Sequence, residues 1–473
     1  MILTVFVGIV GLAAFIGLTA YFISLENRGD THRTFLILMT VLLVEATLAG
    51  HAANTPTGIL RPTIAGQDFR PPDLIILPAV LARLLGGTRR RFPMEQLYLF
   101  AYLGWYAFGI IPGIANGFQL QQALFQGKSV FYLAGGMLIA SGADLRKLAD
   151  QLGRWGQWLA VIVVATTIFQ LADISIRIDT PVQRINRLLQ LGNDSITLYS
   201  SIGLVILAIE AHREHPRLRQ SLAGVVMVLA PLGGSQRASY LAVAMAISVI
   251  GILLFTPTFA RRRTVTPVQI GLVGAAIAGL MIAALAVGPG RSVLTNRVDD
   301  AFGGEQEINS ALERFELADQ AISRIEERPV LGWGLGVTVN RTARGRTINT
   351  SAHNFILDIT MRAGVVGLVM FTLVIASIIR RGLIRWRDEP DNLVAGLKVG
   401  AVIAIAVFLA KGLVEPAVDK YRLVLTAATA FGLILAPGVG LDDDDTDPDD
   451  ASASPAAADL APRLGSSASS SYS

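Results

Sequence analysis

The sequence predicts an all-α fold: a polytopic membrane helix bundle of about 12–13 transmembrane helices with one large extracytoplasmic helical loop. Three observations predict it. Hydrophobic residues make up 52% of the 473 residues and charged residues only 16%, where a soluble domain carries about 25% charged residues. The apolar residues fall in blocks near twenty long, enough to cross ~30 Å of hydrocarbon at 1.5 Å rise per residue. Basic residues gather in the short connections between alternate blocks.

Taken in order, the blocks are 2–25, 34–50, 73–87, 94–115, 129–142, 157–173, 196–211, 220–234, 238–256, 267–287, 354–379, 393–412 and 422–437. The third and fifth are short, which leaves them tilted, re-entrant or wrongly bounded. Arg28 with Arg33, Arg89–Arg91, Arg146 with Lys147 and Arg154, Arg213 with Arg217 and Arg219, Arg261–Arg263, and Arg380 through Arg387 mark alternate loops as cytoplasmic. The N-terminus then lies outside and the C-terminus inside. The first block has no basic residues before it and arginine after it, so it reads as an anchor and not a cleaved leader.

Four segments follow: helices over 1–287, a large outer loop over 288–352, helices over 353–437, and an acidic cytoplasmic tail over 438–473. The outer loop holds eight arginines, but orientation is set mainly by short loops, so it does not reverse the assignment. Within it, Leu312, Phe315, Leu317, Ile322 and Ile325 recur at helical spacing over Asn309–Arg328. Pro329 stops that helix, and Gly332, Gly334 and Gly336 read as a flexible turn. The GxGxG string is no dinucleotide fingerprint, because no strand precedes it in a βαβ setting. The tail opens on Asp442–Asp445, with Asp447, Asp449 and Asp450, and ends in Ala, Ser and Pro. Such a composition cannot offset the entropy of ordering and reads as solvated and disordered.

The absence of cysteine excludes disulfides, thiolate metal sites and a cysteine nucleophile. A net charge of +4 scattered over loops is not a nucleic-acid surface. Of five histidines, His353 stands where the large loop re-enters the membrane. It reads either as a packing or capping residue or as a general base, a task that suits a pKa near 6.5. Thr350 and Ser351 before it offer capping hydroxyls, and Asn354 after it could orient the imidazole or a substrate hydroxyl. Arg237 sits in the outer hairpin Gly233-Gly234-Ser235-Gln236-Arg237-Ala238-Ser239, where it reads as an interface residue or a site cation. Arg314 lies on the outer-loop helix. Two guanidinium forks beside an apolar bundle suit a lipid-linked diphosphate.

Glu45, inside the second block, is a functional candidate or a carboxyl that is protonated or paired with an interior arginine. Glu415 lies just beyond the twelfth block, where it could meet His353 or an acceptor sugar. Arg297, Arg341, Arg344 and Arg346 give the outer loop a basic character suited to an acidic or phosphorylated glycan.

His353-Asn354, nine residues and then Gly364-Val365-Val366-Gly367 resemble the signature of the O-antigen ligase and O-antigen polymerase superfamily. Arg314 followed by Arg328-Pro329-Val330-Leu331-Gly332-Trp333-Gly334-Leu335-Gly336 is similar to that family's loop segment. Gly234-Ser235-Gln236-Arg237-Ala238-Ser239 is similar to its Ser-Arg turn, with Gln236 interposed. The resemblance covers about residues 220–380 by motif. It implies a bacterial inner-membrane glycosyltransferase acting on the outer face without a nucleotide sugar, cofactor or metal. The implied donor is a glycan on undecaprenyl diphosphate, and the implied acceptor is a glycan or lipid A-core. His353 would be the base, Arg237 and Arg314 would hold the diphosphate, and Asn354 and Glu415 would support the acceptor. The resemblance also leaves room for a chain-length regulator protein as a partner.

Three readings stay open: a polymerase of repeat units, which we favour; a ligase for finished glycan; and a transporter of the same lipid. A transporter is expected to show repeated halves and midplane charges. The distinctive polar residues here cluster towards one face, which favours an enzyme.

Overall fold

The computed structural model describes residues 2–48, 63–64, 67–68, 70–86, 93–171, 178–179, 184–185, 193–229, 305–343 and 346–437. The expected ninth and tenth spans, His51, the Arg237 hairpin, Arg297, Arg344 and the acidic tail lie outside these residues. The described chain is an all-α polytopic membrane bundle. Its helices are α1 (Ile2–Asn27), α2 (Thr31–Leu48), α3 (Pro71–Leu85), α4 (Met94–Phe108), α5 (Ile110–Ala115), α6 (Leu120–Ser141), α7 (Leu145–Leu171), α8 (Asn193–His212) and α9 (Leu218–Val228). After the large loop's α10 (Glu305–Glu327) come α11 (Phe355–Asp388), α12 (Asn392–Gly412), a 3₁₀ turn at Ala417–Asp419, and α13 (Tyr421–Leu435).

Each expected span among the described residues has a helix, because a backbone in hydrocarbon must satisfy its own polar groups. Boundaries move where polar residues interrupt the apolar run. The fifth span begins at Leu120, not 129, because Gln121, Gln126 and Lys128 belong to the helix. The side chain of Gln126 is buried and bonds to the large loop, while Lys128 meets Asp73 of α3 at 2.6 Å. The fourth span breaks at Gly109 into α4 and α5.

Helix α13 is buried along its whole length and forms the middle of the bundle, against α6, α8, α11 and α12. Its seam with α6 is built from Gly136, Ala140, Ala428 and Gly432, whose small side chains let the two backbones touch. With lipid outside, packing of this kind replaces the hydrophobic drive that assembles soluble bundles.

Two-residue ladders pair β1 (Thr63–Ile64) with β2 (Gln67–Asp68) and β3 (Ile178–Asp179) with β4 (Arg184–Ile185). A longer antiparallel ribbon, β5 (Val339–Ala343) with β6 (Arg346–Thr350), pairs Val339 with Thr350 and Ala343 with Arg346. The large loop is therefore not wholly helical. Val339 and Thr342 before Arg344-Gly345, and Thr347, Ile348 and Thr350 after it, are β-branched residues that favour the ribbon. Helix α10 starts four residues before the expected Asn309. It lays Leu317 and Ala321 on Val337, Val339, Ala352 and Met361. Phe315 and Ile322 of the expected apolar set are exposed.

The expected flexible turn is a correction. Residues 332 and 334–337 are buried and locked into a break in α11. At that break Gly364 takes φ +67° and ψ −175°, which leaves helical backbone groups without their usual partners. Val365 N–H donates to the Pro329 carbonyl at 2.8 Å, and Val366 N–H to that of Val330 at 3.3 Å. In return, the Met361 and Arg362 carbonyls accept from Trp333 and Gly334 N–H, both at 2.9 Å. Leu335 N–H reaches the Gly109 carbonyl at 2.8 Å, and Gln126 bonds Gly336 N–H and the Val337 carbonyl. Gly332 and Gly334 adopt φ of +72° and +87°, and a side chain on either would strike backbone. The two glycine motifs are thus halves of one backbone joint.

Candidate functional site

His353 stands in the short link between β6 and α11 with φ +56°, the left-handed region that a side chain makes costly. Its neighbours hold it there. Ala352 N–H donates to Asp358 Oδ1 at 2.9 Å. Asn354 caps α11, its Oδ1 accepting from Ile356 N–H at 2.9 Å and Leu357 N–H at 3.3 Å, and its Nδ2 donates to the Leu413 carbonyl at 3.1 Å. The cap comes from Asn354 and not from Thr350 or Ser351, since Thr350 ends β6. These bonds occupy the Asn354 amide with the backbone.

The Leu413 bond brings the α12–α13 connection against His353. Lys420 Nζ donates to Glu415 Oε2 at 2.6 Å and to Asp194 Oδ1 at 3.0 Å, and Lys411 Nζ lies 3.4 Å from Glu415 Oε1. Burial resists the charge on Lys420, but Asp194 and Glu415 outweigh it and hold the ammonium above the ordinary lysine range. Two carboxylates and two ammoniums here sum to no net charge.

Arg314 adds a positive charge that acts on His353. It lies three and seven residues before Leu317 and Ala321, so it extends the packed face of α10 towards His353. Arg314 is exposed and enters no ion pair among the described residues. Arg341, by contrast, pairs with Glu313 of α10.

The His353 pKa is pushed below 6.5, first by burial and then by the positive charges of Arg314, Lys420 and Arg341, with Glu415 opposing them. At neutral pH the ring is therefore uncharged and can accept a proton. A neutral base beside a cation suits deprotonation of a hydroxyl next to an anionic group. Among the described residues, no three His, Asp or Glu side chains gather as a metal site.

Residues 222–372 match the family model described as O-antigen ligase. Over that segment the chain is similar to an O-antigen ligase domain. No curated protein matches the chain at a significant level. The domain runs from α9 to the middle of α11 and takes in Arg314, His353, Asn354 and Gly364. The match supports the O-antigen ligase and polymerase superfamily and, with the membrane-length helices, a membrane enzyme of the ligase/polymerase type. Glu415, Lys411, Lys420 and Asp194 reach the O-antigen ligase domain from outside the matched segment.

Of the expected site residues, the fold brings His353, Asn354, Arg314 and Glu415 to one end of the bundle; Arg237 lies outside the described residues. Glu45 proves to be paired: Arg422 Nε and Nη2 donate to its two oxygens at 2.9 Å each, and the Tyr421 hydroxyl also bonds it. The Arg70 guanidinium rests on the Tyr421 ring, 3.8 Å from its centre. Sequence reading missed Asp194, Lys411 and Lys420, and also Asp358 and Arg362. The last two were detectable, since charges one turn apart inside an apolar span seldom lack a purpose.

Proposed function

We propose that the protein transfers a glycan from a polyprenyl diphosphate, undecaprenyl diphosphate in bacteria, to an acceptor hydroxyl on the extracytoplasmic side of the inner membrane. The observation that carries this is His353, fixed in a left-handed turn and partly buried, within reach of the charge of Arg314, which enters no ion pair among the described residues. His353 takes the proton from the acceptor hydroxyl, worth typically 10²–10⁴-fold as general base. The freed oxygen pair attacks the anomeric carbon, and the bond from that carbon to the diphosphate oxygen breaks. Its electrons leave with the diphosphate. Arg314, with Arg237, meets the charge that develops there, an electrostatic role suited to fixed guanidinium forks. One displacement inverts the anomeric centre. Glu415 supports the acceptor side by holding Lys420 and Lys411 in place.

The favoured acceptor is a second lipid-linked repeat unit, which makes the enzyme a polymerase. The matched family's description as a ligase favours a second reading, with finished glycan passing to lipid A-core. Purified protein given a lipid-diphosphate-linked oligosaccharide as its only glycan separates them. A ladder of multiples, absent with His353→Ala, supports polymerisation. Transfer that appears only once lipid A-core is added supports ligation. Undiminished turnover by His353→Ala removes the histidine from the reaction.

A further inference from the structure

Asp358 and Arg362 lie one turn apart on α11, wholly buried, and the transfer step above uses neither. Arg362 Nη1 and Nη2 donate to Asp419 Oδ1 and Oδ2 at 2.7 Å each, and Nη1 also reaches the Tyr106 hydroxyl at 3.1 Å. Asp419 immediately precedes Lys420 and closes the 3₁₀ turn that follows Glu415. On its other side, Arg362 Nη2 stands 3.7 Å from the Asp358 oxygen that accepts the N–H of Ala352, the residue before His353. One side chain is thus tied to both segments that deliver the site, 351–354 and 413–420.

Stability gives no sufficient reason for this arrangement. Charges inside a span are costly, and a buried ion pair rarely outperforms apolar residues of the same shape. The cluster is also incompletely bonded: among the described residues, Asp358 Oδ2 and Arg362 Nε find no hydrogen-bond partner. What it supplies is geometry. A planar fork meeting both oxygens of one carboxylate fixes angle as well as distance, which a lysine cannot do. We propose that Arg362 is a positioning residue that holds His353 in register with Glu415 and Lys420, with Asp358 as its arm towards His353. This rests on His353 being the base.

The test measures kcat and KM against pH for full-length protein in lipid nanodiscs, with a lipid-diphosphate-linked oligosaccharide as donor. Arg362→Lys and Asp358→Leu are expected to lower kcat about a hundredfold, the scale of a 1 Å misplacement. Donor KM should stay within about threefold, since binding is not what is lost. The acid limb of kcat/KM should rise towards the ordinary histidine value as the loosened ring gains water. Asp358→Asn keeps an oxygen for the Ala352 N–H and should recover most of the rate. Wild-type kcat and an unmoved acid limb in Arg362→Lys would overturn the proposal. If that variant does not fold, the same result in the milder Asp419→Asn would do so. A His353→Ala control at full rate would sink the base assignment instead. A silent wild type would sink the transfer reaction itself.

Discussion

The carbonyl of Val330 occupies the space that a β-carbon on Gly364 would need, and accepts from Val366 N–H at 3.3 Å. The signature glycine of α11 and the loop upstream are therefore one joint. Gly364→Ala must strain a backbone at φ +67° and also push against main chain. A loss of more than about 2 kcal/mol is expected, read as a fall in thermal midpoint in detergent. Gly104→Ala on α4, where an added carbon meets nothing within 4 Å, is the control. It should be neutral or stabilising by up to about 1 kcal/mol. Equal midpoints for the two variants would mean that the joint does not form.

This joint shows where sequence reading stops. Spans were legible because each needs its own run of apolar residues, and α8, α12 and α13 lie within about three residues of their expected bounds. Helix α10 was legible from its period. The joint was not, because backbone bonds between residues 28 or 36 positions apart leave no side-chain pattern. The glycines marked it as a turn, and only the fold shows that turn to be buried. In the site, His353, Arg314 and Glu415 stood out as polar residues beside apolar blocks. Lys411 and Asp194 did not, since each sits in the last or first turn of a helix, where charges are ordinary.

The pH dependence of transfer has a definite sign. With its pKa depressed, His353 stays uncharged to a lower pH than a free histidine, so kcat/KM should hold as pH falls past 6.5 and drop only below that. Arg314→Gln removes a charge that repels the proton, so the limb should move up. Glu415→Gln removes the charge that attracts it, so the limb should move down. Shifts in the same direction for both variants would show that the limb belongs to another group.

The backbone at His353 separates catalysis from folding. Asparagine tolerates φ near +56° far better than alanine does. His353→Asn should therefore be more stable than His353→Ala by about 1 kcal/mol, while both lose 10²–10⁴-fold in rate. Comparison of unfolding midpoints with initial rates checks this. An active asparagine variant would mean that the turn, and not the imidazole, is what the reaction needs.

The Glu45–Arg422 pair tests whether a charge inside a span must be catalytic. Arg422 meets both oxygens of Glu45, and Thr47 beside it is tied to Tyr199 of α8, so the pair sits in a satisfied interior. Removing one partner strands the other. Glu45→Leu or Arg422→Leu alone should cost about 3–5 kcal/mol, because an uncompensated charge is left buried. Removing both leaves apolar groups of similar volume, which is often close to neutral. The double variant should therefore be more stable than either single one, a non-additive result that thermal unfolding can resolve. If the double variant is stable and still transfers glycan, the pair serves the bundle alone. If it is stable and inactive, the interior cluster of Glu45, Tyr421 and Arg422 belongs to the working site.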